Sequence, residues 1–183
     1  MKSLRERGLH TALDTCGLCS KEALDLLLPY SSMVLYDLKE IDPEKHKKFT
    51  GETNEKIFQN LLYVSEYMKS HLYPATLWIR TPVIPGLTAG EENITGIGRF
   101  IAENLKGVAD RWELCAFNNL CRDKYVRLGQ EWMLKDSLLL KKDFMETLAG
   151  AARSSGVDPG IVFWSGSTRL EEDPQPDTEK VAE

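Results

Sequence analysis

The stretch Met33-Val34-Leu35-Tyr36-Asp37-Leu38-Lys39 decides how the rest of the chain is read. Its branched and aromatic residues suit a pleated strand. Successive side chains of a strand alternate between faces, so Asp37 and Lys39 share the face of Met33 and Leu35. That face therefore ends in an acid and a base instead of further apolar residues. In parallel α/β sheets and barrels, ligands sit at the carboxyl ends of strands. The end of this strand is accordingly the first place to look for chemistry.

Outward from this stretch, strand and helix periods alternate. Upstream, Leu9 to Asp14 reads as a short strand. Ser20 is placed to cap a helix carrying Ala23, Leu24, Leu27 and Leu28, which Pro29 ends. Downstream, Asn54 reads as the N-cap of a helix with Ile57, Leu61, Val64 and Met68 on one stripe. Leu77 to Thr81 is the next strand, followed by a rigid loop from Pro82 to Gly86. Glu91 and Glu92 suit the first turn of a helix, where the dipole favours acids, and Ile94, Ile97, Ile101 and Leu105 form its buried stripe. A strand from Trp112 to Phe117 follows. A last helix runs from about Asp143 to Ser155, with Phe144, Leu148 and Ala152 inward and Gly156 as its stop. Gly160 to Trp164 closes as a strand.

Alternation of this kind specifies about five mostly parallel strands joined by right-handed crossover helices. Residues 1–165 are expected to form one α/β domain, and residues 166–183 an acidic, proline-containing tail without fixed structure. Met1 to Arg7 reads as the last turns of a helix stopped by Gly8. A crossover helix should follow a strand, and none precedes this one. The expectation is that the chain starts part-way through a larger α/β domain.

A chain of 183 residues buries roughly 70% of its unfolded surface, enough for a full core. The formal net charge of −5 gives no electrostatic case for nucleic acid or an anionic membrane. No apolar run approaches the ~20 residues of a membrane span. The N-terminal residues lack the apolar core of a signal peptide. A cytoplasmic protein with reduced cysteines is expected.

Five groups of residues are chemical candidates, each weighed against a plainer reading. Asp37 and Lys39 are either a solvated ion pair at a strand end or a polar clamp. In the second case Lys39 donates to a carboxylate, and Asp37 accepts from a ribose hydroxyl, an amine or a cation. Asp14-Thr15-Cys16-Gly17 brings Asp14 to the same rim, as a turn, a site or both. Arg80 faces the side of Trp78 and is either an anion clamp or a structural partner for the rim acids. Asn118 and Asn119 follow the next strand as rim ligands or turn residues. Cys16 and Cys19 form a CxxC, but Cys115 and Cys121 stand at another spacing and complete no zinc site. The alternative of a small redox or zinc protein rests on that pair alone. His10, His46 and His71 are assigned no catalysis.

Taken in order, these motifs resemble one family. Gly8…Asp14-Thr15-Cys16-Gly17 is followed by Tyr36-Asp37-Leu38-Lys39, then Asp42…His46…Thr50-Gly51…Asn54…Ile57…Asn60-Leu61. Ile79-Arg80-Thr81-Pro82-Val83-Ile84-Pro85-Gly86 comes next, then Glu92-Asn93-Ile94 and Lys124-Tyr125…Leu128-Gly129. The series, from about residue 5 to residue 164, is similar to the C-terminal part of the glycyl-radical-enzyme activating enzymes. This group is typified by pyruvate formate-lyase activating enzyme and lies within the radical S-adenosylmethionine superfamily. The resemblance implies a partial (β/α) barrel in which a [4Fe-4S] cluster reduces bound S-adenosylmethionine. It also implies that the resulting 5′-deoxyadenosyl radical takes a hydrogen atom from a glycine of a large partner enzyme. It maps the cofactor site onto Asp37, Leu38, Lys39, Asp14, Thr15 and Arg80, with Asn118 where the family often has a histidine at the adenosine.

The chain departs from the family at two motifs. Neither the Cys-x3-Cys-x2-Cys cluster loop nor the Gly-Gly-Glu segment occurs in these 183 residues. The resemblance therefore implies a chain that carries part of the cofactor site, holds no cluster by itself and is inactive alone. A non-catalytic module that docks to a glycyl radical enzyme is the alternative.

Overall fold

The computed structural model describes residues 1–169. Its centre is one sheet of five parallel strands: β1 (Ala12–Thr15), β2 (Met33–Asp37), β3 (Thr76–Val83), β4 (Arg111–Ala116) and β5 (Val162–Ser165). The spatial order is β1-β2-β3-β4-β5, the order of the chain. Right-handed crossovers between successive neighbours all return over the same face, so one face of the sheet is clothed in helices. The other face is left to the side chains alone. This is the geometry of a barrel wall, whereas a doubly wound sheet reverses its order part-way.

Burial separates the faces residue by residue. Val34, Tyr36, Leu38, Leu77, Ile79, Thr81, Val83, Trp112, Leu114 and Val162 are buried on the helix side. There they meet Leu24, Ile57, Leu61, Val64, Ile94, Ile97, Ile101, Met145 and Leu148 in a single core. The alternate positions, Met33, Leu35, Asp37, Trp78, Arg80, Arg111, Glu113 and Cys115, are half-buried. Two polar groups of the core are paired: Trp112 Nε1 donates to Thr81 Oγ1 at 3.0 Å, and Tyr36 Oη donates to the Ile57 carbonyl at 2.7 Å.

The helices are α1 (Lys2–Glu6), α2 (Lys21–Leu27), α3 (Pro43–Thr50), α4 (Glu55–Ser70), α5 (Glu91–Asn104), α6 (Arg122–Arg127) and α7 (Lys142–Arg153). Ser20 caps α2 through the Ala23 amide, as expected, and a 3-10 turn through Pro29 ends it. Several expectations shift. The first strand begins at Ala12, not Leu9, and Leu9 is exposed. Pro82 and Val83 belong to β3 and not to the loop. On α7 the inward residues are Met145, Leu148, Ala149 and Ala152, at helical spacing, and Phe144 falls outside that stripe. Asn54 precedes α4 but makes no cap with its side chain. Two helices lacked an apolar stripe to announce them. α3 buries only His46, and α6 buries nothing.

At the far end, Lys141 bridges Arg169, and the Arg169 amide donates to the Leu140 carbonyl at 3.0 Å. The rest of the expected tail, residues 170–183, lies outside the described residues. Among the described residues no helix is long and apolar enough to cross a membrane.

Candidate functional site

The parallel register assembles the site. Asp37 pairs with Arg80 across β2 and β3, and Asp14 pairs with Leu35 across β1 and β2. Asp14, Asp37 and Arg80 thus reach the same open face, the two acids near the carboxyl ends of β1 and β2 and Arg80 within β3, three residues before its end. Arg80 Nε donates to Asp37 Oδ1 at 2.9 Å, and its Nη2 lies 2.8 Å from the same oxygen. Nη2 also donates to Asp14 Oδ1. Lys39 Nζ lies 3.4 Å from the other Asp37 oxygen, Oδ2. One guanidinium therefore holds two carboxylates, and an ammonium flanks the second of them. Burial alone would lower the Arg80 pKa, but hydrogen bonds to Asp14 and Asp37 carry it above its usual value. Arg80 is charged and engaged through its Nε and Nη2 edge.

The remaining predicted residues stand differently. Leu38 is buried on the helix side. It contributes to the rim only through its backbone, where its amide donates to the Arg80 carbonyl at 2.9 Å. Thr15 registers against Tyr36, so it points away from the face of Asp14. Its hydroxyl accepts from the Gly17 amide at 2.9 Å and closes the turn after β1. Asn118 is exposed, and its Oδ1 accepts from the Leu120 amide at 3.2 Å. No hydrogen bond joins it to the Asp14–Arg80–Asp37–Lys39 network. It lines instead a neighbouring cavity of about 640 Å³ walled by Pro82, Cys115, Phe117, Tyr125 and Trp132. Burial, with the Glu113 carboxylate nearby, pushes the Cys115 thiol up to about 11. That thiol is neutral at ordinary pH.

Sequence reasoning missed a second polar group on the same face. The Arg111 guanidinium lies between the rings of Trp78 and Phe163, 4.7 and 4.2 Å from their centroids. Its Nη2 donates to Glu113 at 3.1 Å. Alternation along β4 was the available signal, since Arg111, Glu113 and Cys115 are two apart. His46, assigned no catalysis, is buried, and its Nδ1 lies 2.7 Å from the Glu52 carbonyl. It pins the loop between α3 and α4. Cys16 and Cys19 are free thiols, and among the described residues no three His, Cys, Asp or Glu side chains are grouped to hold a metal ion.

A sequentially ordered parallel wall with a charged rim is the architecture of part of a (β/α) barrel. The comparisons with known proteins narrow this class. No family model matches the chain. The pyruvate formate-lyase-activating enzyme of Streptococcus mutans is 33% identical over 137 residues, which are 72% of this chain and 49% of that protein. The isethionate sulfite-lyase activating enzyme of Oleidesulfovibrio alaskensis is 34% identical over 131 residues, 72% of this chain and 40% of that protein. A crystal structure of a domain of pyruvate-formate lyase-activating enzyme from Bacteroides vulgatus superposes with a TM-score of 0.68 at 22% identity, covering 90% of this chain and 86% of that one. The chain is a homologue of the glycyl-radical-enzyme activating enzymes. It spans less than half the length of the two curated relatives described.

Proposed function

We propose that this chain supplies one wall of the S-adenosylmethionine site of a glycyl-radical-enzyme activating enzyme. The observation that carries the reading is the convergence of Asp14, Asp37, Lys39 and Arg80 on one rim of the open face. The donor set suits the methionyl and ribosyl parts of that molecule. Lys39 has three N–H donors and spends one on Asp37, which leaves two for a carboxylate. Asp14 and Asp37 retain lone pairs for an ammonium or a ribose hydroxyl. Arg80 holds the two acids through Nε and Nη2 and orients them, while its Nη1 donors remain available to an anion. Bound S-adenosylmethionine would supply the hydrogen-atom abstraction by which such enzymes activate a glycine of a partner enzyme. The partner of this chain would then be a glycyl radical enzyme.

The [4Fe-4S] cluster does not fit the residues present. Three thiolates are needed in one loop, whereas Cys16 and Cys19 share a turn, Cys115 is on β4 and Cys121 lies before α6. No step is assigned through it, and residues 1–183 alone are proposed to be inactive. Anaerobic reconstitution with iron and sulfide tests this, read by thiolate–iron absorbance. A stoichiometric [4Fe-4S] cluster on this chain would overturn it. For the wall itself, Lys39→Ala and Asp37→Asn are expected to weaken whatever S-adenosylmethionine affinity calorimetry finds for the chain. Unchanged affinity in both variants would refute the assignment.

A further inference from the structure

The backbone that carries Lys39 is held in an unusual way. β2 ends at Asp37, and the last ladder bond is that of the Leu38 amide. Beyond it the neighbouring strand no longer defines where the chain runs. A segment leaving a sheet into the interior must still pair its polar backbone groups. Here two side chains do so. Asn93 Nδ2 donates to the Lys39 carbonyl at 3.0 Å, and Asn54 Nδ2 donates to the carbonyls of Glu40 and Ile41 at 2.7 and 3.0 Å. The Ile41 amide donates to Asn93 Oδ1 at 2.8 Å. The second Asn93 proton goes to the Thr88 carbonyl at 3.0 Å, in the loop after β3. Both asparagines are buried, and both protons of each amide are used.

From this geometry we infer that Asn54 and Asn93 are positioning residues for Lys39, acting through the backbone of residues 39–41. They are rooted in different elements, Asn93 in α5 and Asn54 at the start of α4. The lysine is thereby fixed from the helix side of the sheet, while its ammonium works on the open side. The tie to Thr88 also couples it to the loop that leaves β3. No other side chain could replace Asn93 fully. Aspartate keeps the acceptor for Ile41 but sets oxygen against the carbonyls of Lys39 and Thr88.

The inference rests on the reading of Lys39 as a ligand-binding residue, and the test separates the two. The full chain is acylated with N-hydroxysuccinimidyl acetate, and each lysine is followed by peptide mass spectrometry. In Asn93→Asp, Lys39 is expected to react about fivefold faster, the factor for loss of a hydrogen bond of ordinary strength. Lys69 and Lys142, on α4 and α7, should keep their wild-type rates. Asn54→Asp should act in the same direction, which covers the case of one variant failing to fold. A general rise at all lysines would mean a structural effect only, and no rise at Lys39 would mean no clamp. Either result overturns the inference. In parallel, the S-adenosylmethionine affinity lost in Asn93→Asp should vanish in a Lys39→Ala background, and a loss that persists there also overturns it. If the wild-type chain shows no S-adenosylmethionine protection of Lys39, the ligand reading fails while the acylation comparison still decides the clamp.

Discussion

Replacing Gly17 by alanine should destabilise the protein far more than its backbone conformation requires. Gly17 has φ +72°, and a Cβ there would stand 1.6 Å from Tyr36 Oη and 2.2 Å from Cζ. Tyr36 is fully buried, so its ring has nowhere to retreat without losing its bond to the Ile57 carbonyl. Gly86 provides a matched control: its φ is also +72°, but a Cβ would meet nothing within 4 Å. Gly86→Ala therefore reports the left-handed backbone cost alone, about 1–2 kcal/mol. Gly17→Ala adds an unpaired buried hydroxyl, about 1–3 kcal/mol, and overpacking, about 1–3 kcal/mol. The expected excess over the control is thus about 2–6 kcal/mol. Urea unfolding followed by far-ultraviolet circular dichroism measures both variants. Tyr36→Leu in the Gly17→Ala background should recover much of the excess, because the colliding atoms are gone. Equal losses in Gly17→Ala and Gly86→Ala, within about 0.5 kcal/mol, would refute the claim that this glycine exists to seat Tyr36.

Three other outcomes are expected. Arg80→Leu leaves two acids facing each other, but they are partly solvated, so the cost should be modest, about 1–2 kcal/mol at neutral pH. Asp37→Asn in the same background should cost little more, as a denaturation double-mutant cycle would show. Cys115, with its thiol near 11 against an ordinary 9.0, should alkylate with iodoacetamide about tenfold faster per pH unit between pH 8 and 10. The unfolded thiol ionises first, so its contribution to stability is complete below pH 9 and is lost as pH rises towards 11. Burial raises the Glu40 carboxyl above its usual value. Its contribution is therefore present at acid pH and lost on ionisation, so Glu40→Gln should raise the melting temperature at pH 7 and lose that advantage in acid.

What could be read from the chain followed the periods of its apolar residues. Val34, Tyr36 and Leu38 alternating with Asp37 and Lys39 gave the strand and its two faces, and the isoleucines of α5 gave its buried stripe. The misses have physical causes. α3 and α6 bury almost nothing, so no stripe marks them; for α3, only Asp42, Pro43 and Gly51 at its ends could have done so. Phe144 and Met145 are adjacent apolar residues, and periodicity alone could not say which of them faced inward. At the site, the rim residues were identifiable one by one because each is a charged residue on the face that alternates with the buried one, although Arg80 lies within β3 and not at its end. Their mutual pairing was not, since it depends on the register of β2 against β3. Asn54 misled most. Before a helix an asparagine reads as a cap, and only the folded chain brings it to the backbone of Glu40 and Ile41.

Every strand of this sheet lies beside the strand made just before it. Such an arrangement needs no late insertion between partners already joined. It can assemble in the order of synthesis, each new strand and helix docking on a finished neighbour, and the pairing of Asp14, Asp37 and Arg80 is complete once the third strand has arrived. The same logic makes the wall modular. A unit gained or lost at either margin leaves the hydrogen-bond register of the others intact, so the charged rim can persist while the number of strands around it changes.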